Sequence, residues 1–184
     1  MMQTLRAVLE PRLGAPRWTQ AEGRVTSVYR FRSEDTPPIR LRLKVEINSR
    51  GHFAAHGFTQ VPFATSSRWF ENACQITSSR LDELPGTKLR ALYQHKKGRD
   101  LFDLATALTN PAVNPHRIIT AFSEYMDRSD HHVPRELFGQ NLSLKPDDPL
   151  FTADTGPAPD YSWDIAAATQ AVASRLIALL PEKA

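Results

Sequence analysis

The spacing of apolar side chains divides the chain into a strand-rich first part and a helical second part. A short apolar stripe at helical spacing, which ends at Gly14, predicts a helix near the N-terminus. Residues 24–32 and 39–48 are rich in strand-forming side chains, and the segment between them is rich in turn-forming residues. These features predict an antiparallel β-hairpin over residues 24–48.

Apolar and polar side chains alternate along the second strand of this hairpin, so they project from opposite faces. The polar face carries Glu46, and its basic neighbours at positions 42 and 44 would keep the carboxylate ionised. Basic side chains of both strands would form a strip on this face that suits phosphate groups: Arg24, Arg30, Arg32, Arg40, Arg42 and Lys44. A solvated face with cross-strand ion pairs, which protects the sheet from aggregation, is the open alternative.

The second part of the chain carries apolar residues at helical spacing. Two such stretches, on either side of residues 96–98, predict consecutive helices. Further helices are predicted over residues 115–126 and 163–180. Segment 131–159 is rich in proline and has little periodic hydrophobicity, so it is expected to hug the surface or to be mobile.

Two aspartates are candidates for chemistry in the second of the consecutive helices. Asp100 and Asp103 lie three positions apart, so they share one helix face and can reach a common cation or proton. Asp100 also falls in the first helical turn, where the free N–H groups favour negative charge. An ordinary charged first turn with an Arg99–Asp103 ion pair explains the same pattern and stays open.

The segment between residues 50 and 79 is less regular. Its aromatic side chains are interpreted as core anchors, with stacking on a base as the alternative: Phe53, Phe58, Phe63, Trp69 and Phe70. His52 and His56 lie four positions apart without a third ligand nearby, so they are weak evidence for zinc. The one cysteine, Cys74, lies in a predicted strand, is expected to be a buried and inert thiol, and excludes a disulfide framework.

Composition fits a globular α+β protein. The 184 residues, 41% of them hydrophobic, suffice for one core, so parts 1–80 and 81–184 are expected to form one compact domain. No stretch is apolar enough to span a membrane, and the first residues do not resemble a signal peptide, which predicts a cytoplasmic protein. The net charge of +3 is compatible with nucleic-acid binding and does not establish it.

The most specific feature of the chain is the pair of segments TKLRALYQ at residues 87–94 and KGRDLFDL at residues 97–104. They resemble the lysine and RDxxD motifs of the AbiEii/AbiGii-type nucleotidyltransferase toxins. The likeness extends to residues 43–48, 61–63 and 69–70, and so covers about residues 41 to 126. It implies a fold related to DNA polymerase β-like nucleotidyltransferases: an antiparallel sheet with a helical C-terminal part.

The resemblance implies roles for individual side chains. Lys88, with Arg99, would contact the phosphates of a nucleoside triphosphate, and Asp103 would belong to a catalytic group with Asp100 and Glu46. Glu46 and Asp103 would bind the metal ion, expected to be Mg²⁺. Because the resemblance points to an RNA acceptor, tRNA or another RNA, part of the basic strip would contact RNA: Arg30, Arg32, Arg40, Arg42 and Lys44.

Two features of the family are missing from the sequence. Family members carry a glycine-serine or glycine-glycine turn and, about ten residues later, a D-x-D or D-x-E pair, and this chain contains neither. A natural start upstream of Met1 would explain both absences and is left open, as is the enzymatic activity of these residues alone. A non-catalytic RNA- or nucleotide-binding remnant and one half of a split enzyme are the alternatives.

The resemblance also implies a biological setting and partners. A protein of this type would act in a toxin–antitoxin system, as in abortive infection, and would have a cognate antitoxin. A homodimer, or pairing with a missing N-terminal half, would cover the strand edges that a shortened sheet exposes.

Overall fold

The computed structural model of the protein describes residues 2–48, 53–68, 70–154 and 164–182. It has an α+β architecture, as predicted, with two compact units over residues 1–52 and 53–184. The expected division into parts 1–80 and 81–184 of one domain stays a prediction. Within the described ranges, no helix is long and apolar enough to cross a membrane.

The first unit is a helix followed by a three-stranded antiparallel sheet. Its elements are α1 (Met2–Leu13), β1 (Arg17–Ala21), β2 (Arg24–Arg32) and β3 (Arg40–Asn48), and the strand order is β1-β2-β3. The predicted hairpin is therefore confirmed as β2 and β3. Strand β1 was not predicted, because all its side chains are exposed and leave no burial pattern. Gly23, with φ of 74°, completes the tight turn from β1 to β2.

The second unit begins with another hairpin and continues as a helical bundle. The hairpin strands are β4 (Phe58–Ser66) and β5 (Glu71–Ser79). The helices are α2 (Glu83–Gln94), α3 (Gly98–Thr109), α4 (Pro115–Asp127), α5 (Arg135–Ser143), α6 (Pro149–Ala153) and α7 (Ile165–Arg175), followed by a 3-10 helix (Ile177–Leu179). The helices predicted on either side of residues 96–98 are confirmed as α2 and α3.

One hydrophobic core lies between these helices. Helix α2 packs against α3 and α4, and α3 also packs against α7. The buried side chains repeat at helical spacing, as the apolar pattern predicted, and include Leu89, Leu92, Leu101, Leu104, Ile118, Phe122, Val172 and Leu176. Burial of this continuous stripe is the main force that holds α2 and α3 together.

The expectation of a surface or mobile segment over residues 131–159 is wrong for its described part. This part forms α5 and α6, and it adds Phe138, Leu142 and Phe151 to the core. The prolines open short helices here, since Pro134 is the N-cap residue of α5 and Pro149 stands at the start of α6. Helices of nine and five residues are too short to show a clear apolar period.

The β4–β5 hairpin corrects two further expectations. Phe58, Phe63 and Phe70 are 53%, 50% and 58% exposed, so they are not core anchors, and Cys74 is exposed as well. A two-stranded sheet shields little of either face unless another layer covers it. Phe53 does pack, with its ring edge-on to Tyr125 at 5.4 Å between centroids. Trp69 and His52 lie outside the described residues, and base stacking stays a prediction.

Gly86 sets the close approach of α2 to α4. A Cβ atom at this position would lie 2.6 Å from the Ala121 Cβ and 3.1 Å from the Ile118 carbonyl oxygen. We expect Gly86→Ala to lower the free energy of unfolding by about 1–3 kcal/mol through overpacking, measured by urea denaturation. Gly139 in α5 has no atom within 4 Å of such a Cβ, so Gly139→Ala should instead stabilise by about 0.5–1 kcal/mol. Equal stability of the Gly86 variant and the wild type would contradict this packing.

Candidate functional site

Lys88 lies in the second turn of α2 and reaches across to α3. Helix α2 begins at Glu83 and holds Pro85 in its first turn, where a proline is tolerated. Lys88 therefore lies inside α2 and not at its N-terminus. It contacts instead the first two turns of α3, which begins at Gly98.

Lys88, Asp100 and Asp103 form one group, which we name the lysine–aspartate cluster. The Lys88 Nζ lies 3.0 Å from the Asp100 Oδ1 and 2.8 Å from the Asp103 Oδ2. The two carboxylates share one face of α3, as their spacing predicted, and they do reach a common cation. The Asp100 side chain is only 5% exposed, whereas those of Lys88 and Asp103 are 40% and 43% exposed. Asp100 is therefore the buried member of the cluster, whereas Lys88 and Asp103 are accessible to solvent.

The electrostatics of the cluster keep Lys88 charged. Its partial burial acts to lower the pKa of the ammonium group, but hydrogen bonds and charges of Asp103 and Asp100 outweigh this effect and raise the pKa above its ordinary value. Lys88 is thus a cation throughout the physiological pH range. With both carboxylates ionised, the cluster as a whole carries one negative charge.

Arg99, a predicted nucleotide contact, lies beside the cluster without joining it. Its guanidinium group is 3.7 Å from the Asp154 carboxylate. The alternative Arg99–Asp103 ion pair is not what the structure shows, since Asp103 pairs with Lys88. The role of Arg99 in nucleotide binding stays a prediction.

Glu46 belongs to the first unit. Its carboxylate lies 2.6 Å from the Lys44 Nζ and 3.3 Å from the Arg24 Nη1, so the cross-strand pairing considered from the sequence is present. The hydrogen bond and charge of Lys44, aided by Arg24, lower the pKa of Glu46, which agrees with the expectation of an ionised group. Its roles as catalytic residue and metal ligand stay predictions.

The predicted basic strip lies on one face of the three-stranded sheet. The register places Arg30 opposite Arg42 and Arg32 opposite Arg40, and all four are exposed. Arg17 of β1 lies opposite Val28 and so belongs to the same face. We name this set the basic face: Arg17, Arg24, Arg30, Arg32, Arg40, Arg42 and Lys44. Sequence reasoning missed Arg17, because only the pairing of β1 with β2 assigns it to a face.

Comparison with known proteins identifies the chain. A family model described as the nucleotidyl transferase AbiEii toxin of type IV toxin–antitoxin systems matches residues 2–171. The chain belongs to the AbiEii family. The match extends well beyond residues 41–126, over which the sequence resemblance was recognised. No curated protein and no solved structure matches the chain.

Membership in the AbiEii family supports a toxin nucleotidyltransferase-like role for this protein. Use of a nucleoside triphosphate and of a metal ion is general among nucleotidyltransferases, and a toxin–antitoxin family implies a cognate antitoxin. Lys88 and Asp103, the two positions carried over from the family motifs, are in direct contact, which the sequence motifs alone did not require.

The described side chains do not form a closed metal cage. Among them, no group of three or more His, Cys, Asp or Glu residues is placed to hold a metal ion. The His56 Nε2 lies 2.8 Å from the Arg117 carbonyl oxygen, which gives this ring a structural partner and adds nothing to the zinc interpretation. Asp103 is the half-exposed carboxylate of the cluster, and its role as a metal ligand stays a prediction.

Three buried charged residues outside the cluster gave no clear signal in the sequence. Lys145 is 6% exposed and donates a hydrogen bond of 2.8 Å to the His95 carbonyl oxygen, just after α2 ends. Burial, aided by the charge of Lys96, lowers the pKa of Lys145. An isolated lysine in a proline-rich segment resembles an ordinary surface residue, so its burial could not be predicted.

The other two are Asp82 and Glu83, where α2 begins. Asp82 accepts hydrogen bonds from the Asn114 N–H (2.8 Å) and the Arg117 Nε (2.7 Å), which fixes the start of α4. Glu83 is fully buried and accepts hydrogen bonds from the N–H groups of Ala55 (2.9 Å) and His56 (2.8 Å). An acidic pair at a helix start usually indicates a simple cap, so these long-range contacts had no distinct signal.

Proposed function

We propose that this protein transfers a nucleotidyl group from a nucleoside triphosphate to a hydroxyl group of an RNA, with tRNA as the first candidate, and that this modification arrests growth. The observation that carries the proposal is the lysine–aspartate cluster, found in a chain of a nucleotidyltransferase toxin family. In such a transfer the acceptor oxygen bonds to the α-phosphorus, the bond to the pyrophosphate oxygen breaks, and the hydroxyl loses its proton.

Lys88 is suited to bind the triphosphate. Its ammonium group is 40% exposed and stays charged, because its two carboxylate partners raise its pKa. Asp100 beneath it is nearly buried and fixes the position of the Nζ with a 3.0 Å contact. Positioning and charge stabilisation of this kind supply most of the catalysis in phosphoryl transfer.

Asp103 is suited to the acceptor side of the reaction. Its carboxylate is 43% exposed, so a hydroxyl group of the acceptor can reach it and give up its proton there. We propose Mg²⁺ as the metal ion; bound with the triphosphate, it would neutralise phosphate charge, and Asp103 would supply a protein ligand.

The direct test is transfer of label from α-³²P nucleoside triphosphates to bulk tRNA, assayed with all four nucleotides and Mg²⁺. We expect Asp103→Asn to reduce transfer by about 10²-fold or more, because the amide cannot accept the proton. Asp130→Asn is the matched control: Asp130 is exposed and has φ of 53°, a conformation that asparagine also adopts, so activity should not change. Equal transfer by Asp103→Asn and wild type would refute the assignment.

A second candidate function is nucleotide or RNA binding without turnover. It is favoured by the absence, among the described residues, of a group of three possible metal ligands. Isothermal titration with a non-hydrolysable nucleotide analogue and Mg²⁺ separates the two functions. Binding that depends on Lys88, together with no label transfer by the wild type, would identify a binding protein.

A further inference from the structure

The basic face concentrates more positive charge than the chain carries overall. Its seven cations share the face with one carboxylate, that of Glu46, and the excess of six positive charges on the strand positions exceeds the formal +3 of the whole chain. The remainder of the chain is therefore acidic on balance. Solubility alone does not require such segregation, because dispersed charges of both signs serve it.

Within the part of the chain that the structure describes, the positive charges of the basic face form salt bridges at one end of the face and not at the other. Glu46 pairs with Arg24 and Lys44, which neutralises one end of the β2–β3 hairpin. At the other end, none of four arginines has a salt bridge among the described residues, although Glu34 and Asp35 lie in the adjoining turn. We name them the outer arginines: Arg30, Arg32, Arg40 and Arg42.

The outer arginines lie opposite one another across the two strands, and this arrangement lowers the stability of the sheet when no polyanion is bound. Arg30 lies directly opposite Arg42, and Arg32 lies directly opposite Arg40. Like charges in directly opposed positions destabilise a sheet. Positions two apart on one strand are about 6.6 Å apart, so the four arginines occupy neighbouring exposed positions on one face of the sheet.

We infer that the outer arginines bind the phosphate backbone of the RNA acceptor. This inference rests on the proposed function for the choice of RNA. Guanidinium groups bind phosphate oxygens through paired hydrogen bonds, and a polyanion would remove the repulsion within the array. Contacts of this type fix the position of the RNA without reading its sequence. The outer arginines would therefore bind many different RNAs, and other residues of the protein would select the acceptor.

The test measures binding of fluorescently labelled bulk tRNA by anisotropy, without nucleotide, between 50 and 200 mM KCl. The test variant is Arg40→Glu/Arg42→Glu, which places carboxylates opposite Arg32 and Arg30 and should leave the melting temperature unchanged or raised. We expect it to weaken binding at 100 mM KCl by about 100-fold, and to reduce the slope of log affinity against log salt by about three.

The matched control is Arg12→Glu/Arg80→Glu, which makes the same change in net charge outside the sheet and should alter affinity by less than about threefold. The inference would be overturned if Arg40→Glu/Arg42→Glu bound tRNA as tightly as the wild type, or if the control variant lost as much affinity. It would also be overturned if the wild type bound polyglutamate as tightly as tRNA. Because no nucleotide is present, RNA binding without label transfer would refute only the proposed chemistry. If the wild type transfers label to RNA and Arg40→Glu/Arg42→Glu does not weaken tRNA binding, only the assignment of RNA binding to the outer arginines would be refuted.

Discussion

Lys88→Met is expected to reduce label transfer to RNA strongly and to lower the stability of the protein at the same time. The ammonium group is the cation of the lysine–aspartate cluster, and removal of one preorganised charge from such a site reduces the rate by about 10²- to 10³-fold. The same change leaves Asp100, at 5% exposure, without its charged partner. We expect the free energy of unfolding to fall by about 1–3 kcal/mol, measured by urea denaturation.

A double variant separates the two effects. Lys88→Met/Asp100→Asn removes the uncompensated buried charge, so it should recover most of the lost stability while transfer stays as low as in Lys88→Met. Lys97→Met is the matched control, because Lys97 is an exposed lysine just before α3 and lies outside the cluster. Recovery of transfer in the double variant would show that Lys88 acts only on stability and would contradict its role with phosphate.

Glu83→Ala is expected to lower the free energy of unfolding by about 2–4 kcal/mol. The fully buried carboxylate accepts hydrogen bonds from the Ala55 and His56 N–H groups, and its loss leaves these donors without a partner. The Tyr125 hydroxyl, which donates its hydrogen bond to the Phe53 carbonyl oxygen at 2.9 Å, loses a polar neighbour. Glu136→Ala is the control, since Glu136 occupies the first turn of α5 and is exposed. Equal losses in the two variants would contradict the anchoring role.

Glu83 should also make stability dependent on pH in the acid range. Burial acts to raise its pKa, but the hydrogen bonds from the His56 and Ala55 N–H groups and the nearby Tyr125 hydroxyl outweigh burial and lower the pKa below its ordinary value of 4.5. A carboxyl group with a lowered pKa in the folded state contributes stability that is present above pH 4.5 and is lost as the pH falls through the folded value. Glu83→Gln should therefore flatten the stability profile below pH 5, as measured by thermal unfolding.

The sequence by itself determined the β2–β3 hairpin, the helices α2 and α3, and the family that the chain resembles. Alternation along residues 39–48 indicated a strand with one basic face, and leucine spacing on either side of residues 96–98 indicated two helices. Both signals are local, because they arise from the geometry of a single strand or helix. The lysine and RDxxD motifs likewise lie within 17 residues, Lys88 to Leu104, and are readable without the fold.

Only the tertiary structure decided which charges meet. The packing of α2 against α3 brings Lys88 to Asp100 and Asp103, where the sequence left an Arg99–Asp103 pair open as the alternative. Pairing of β1 with β2 adds Arg17 to the basic face, and the burial of Glu83 depends on a segment 27 residues away. Periodicity specifies the face on which a side chain lies, whereas its partner depends on contacts between elements distant in the chain.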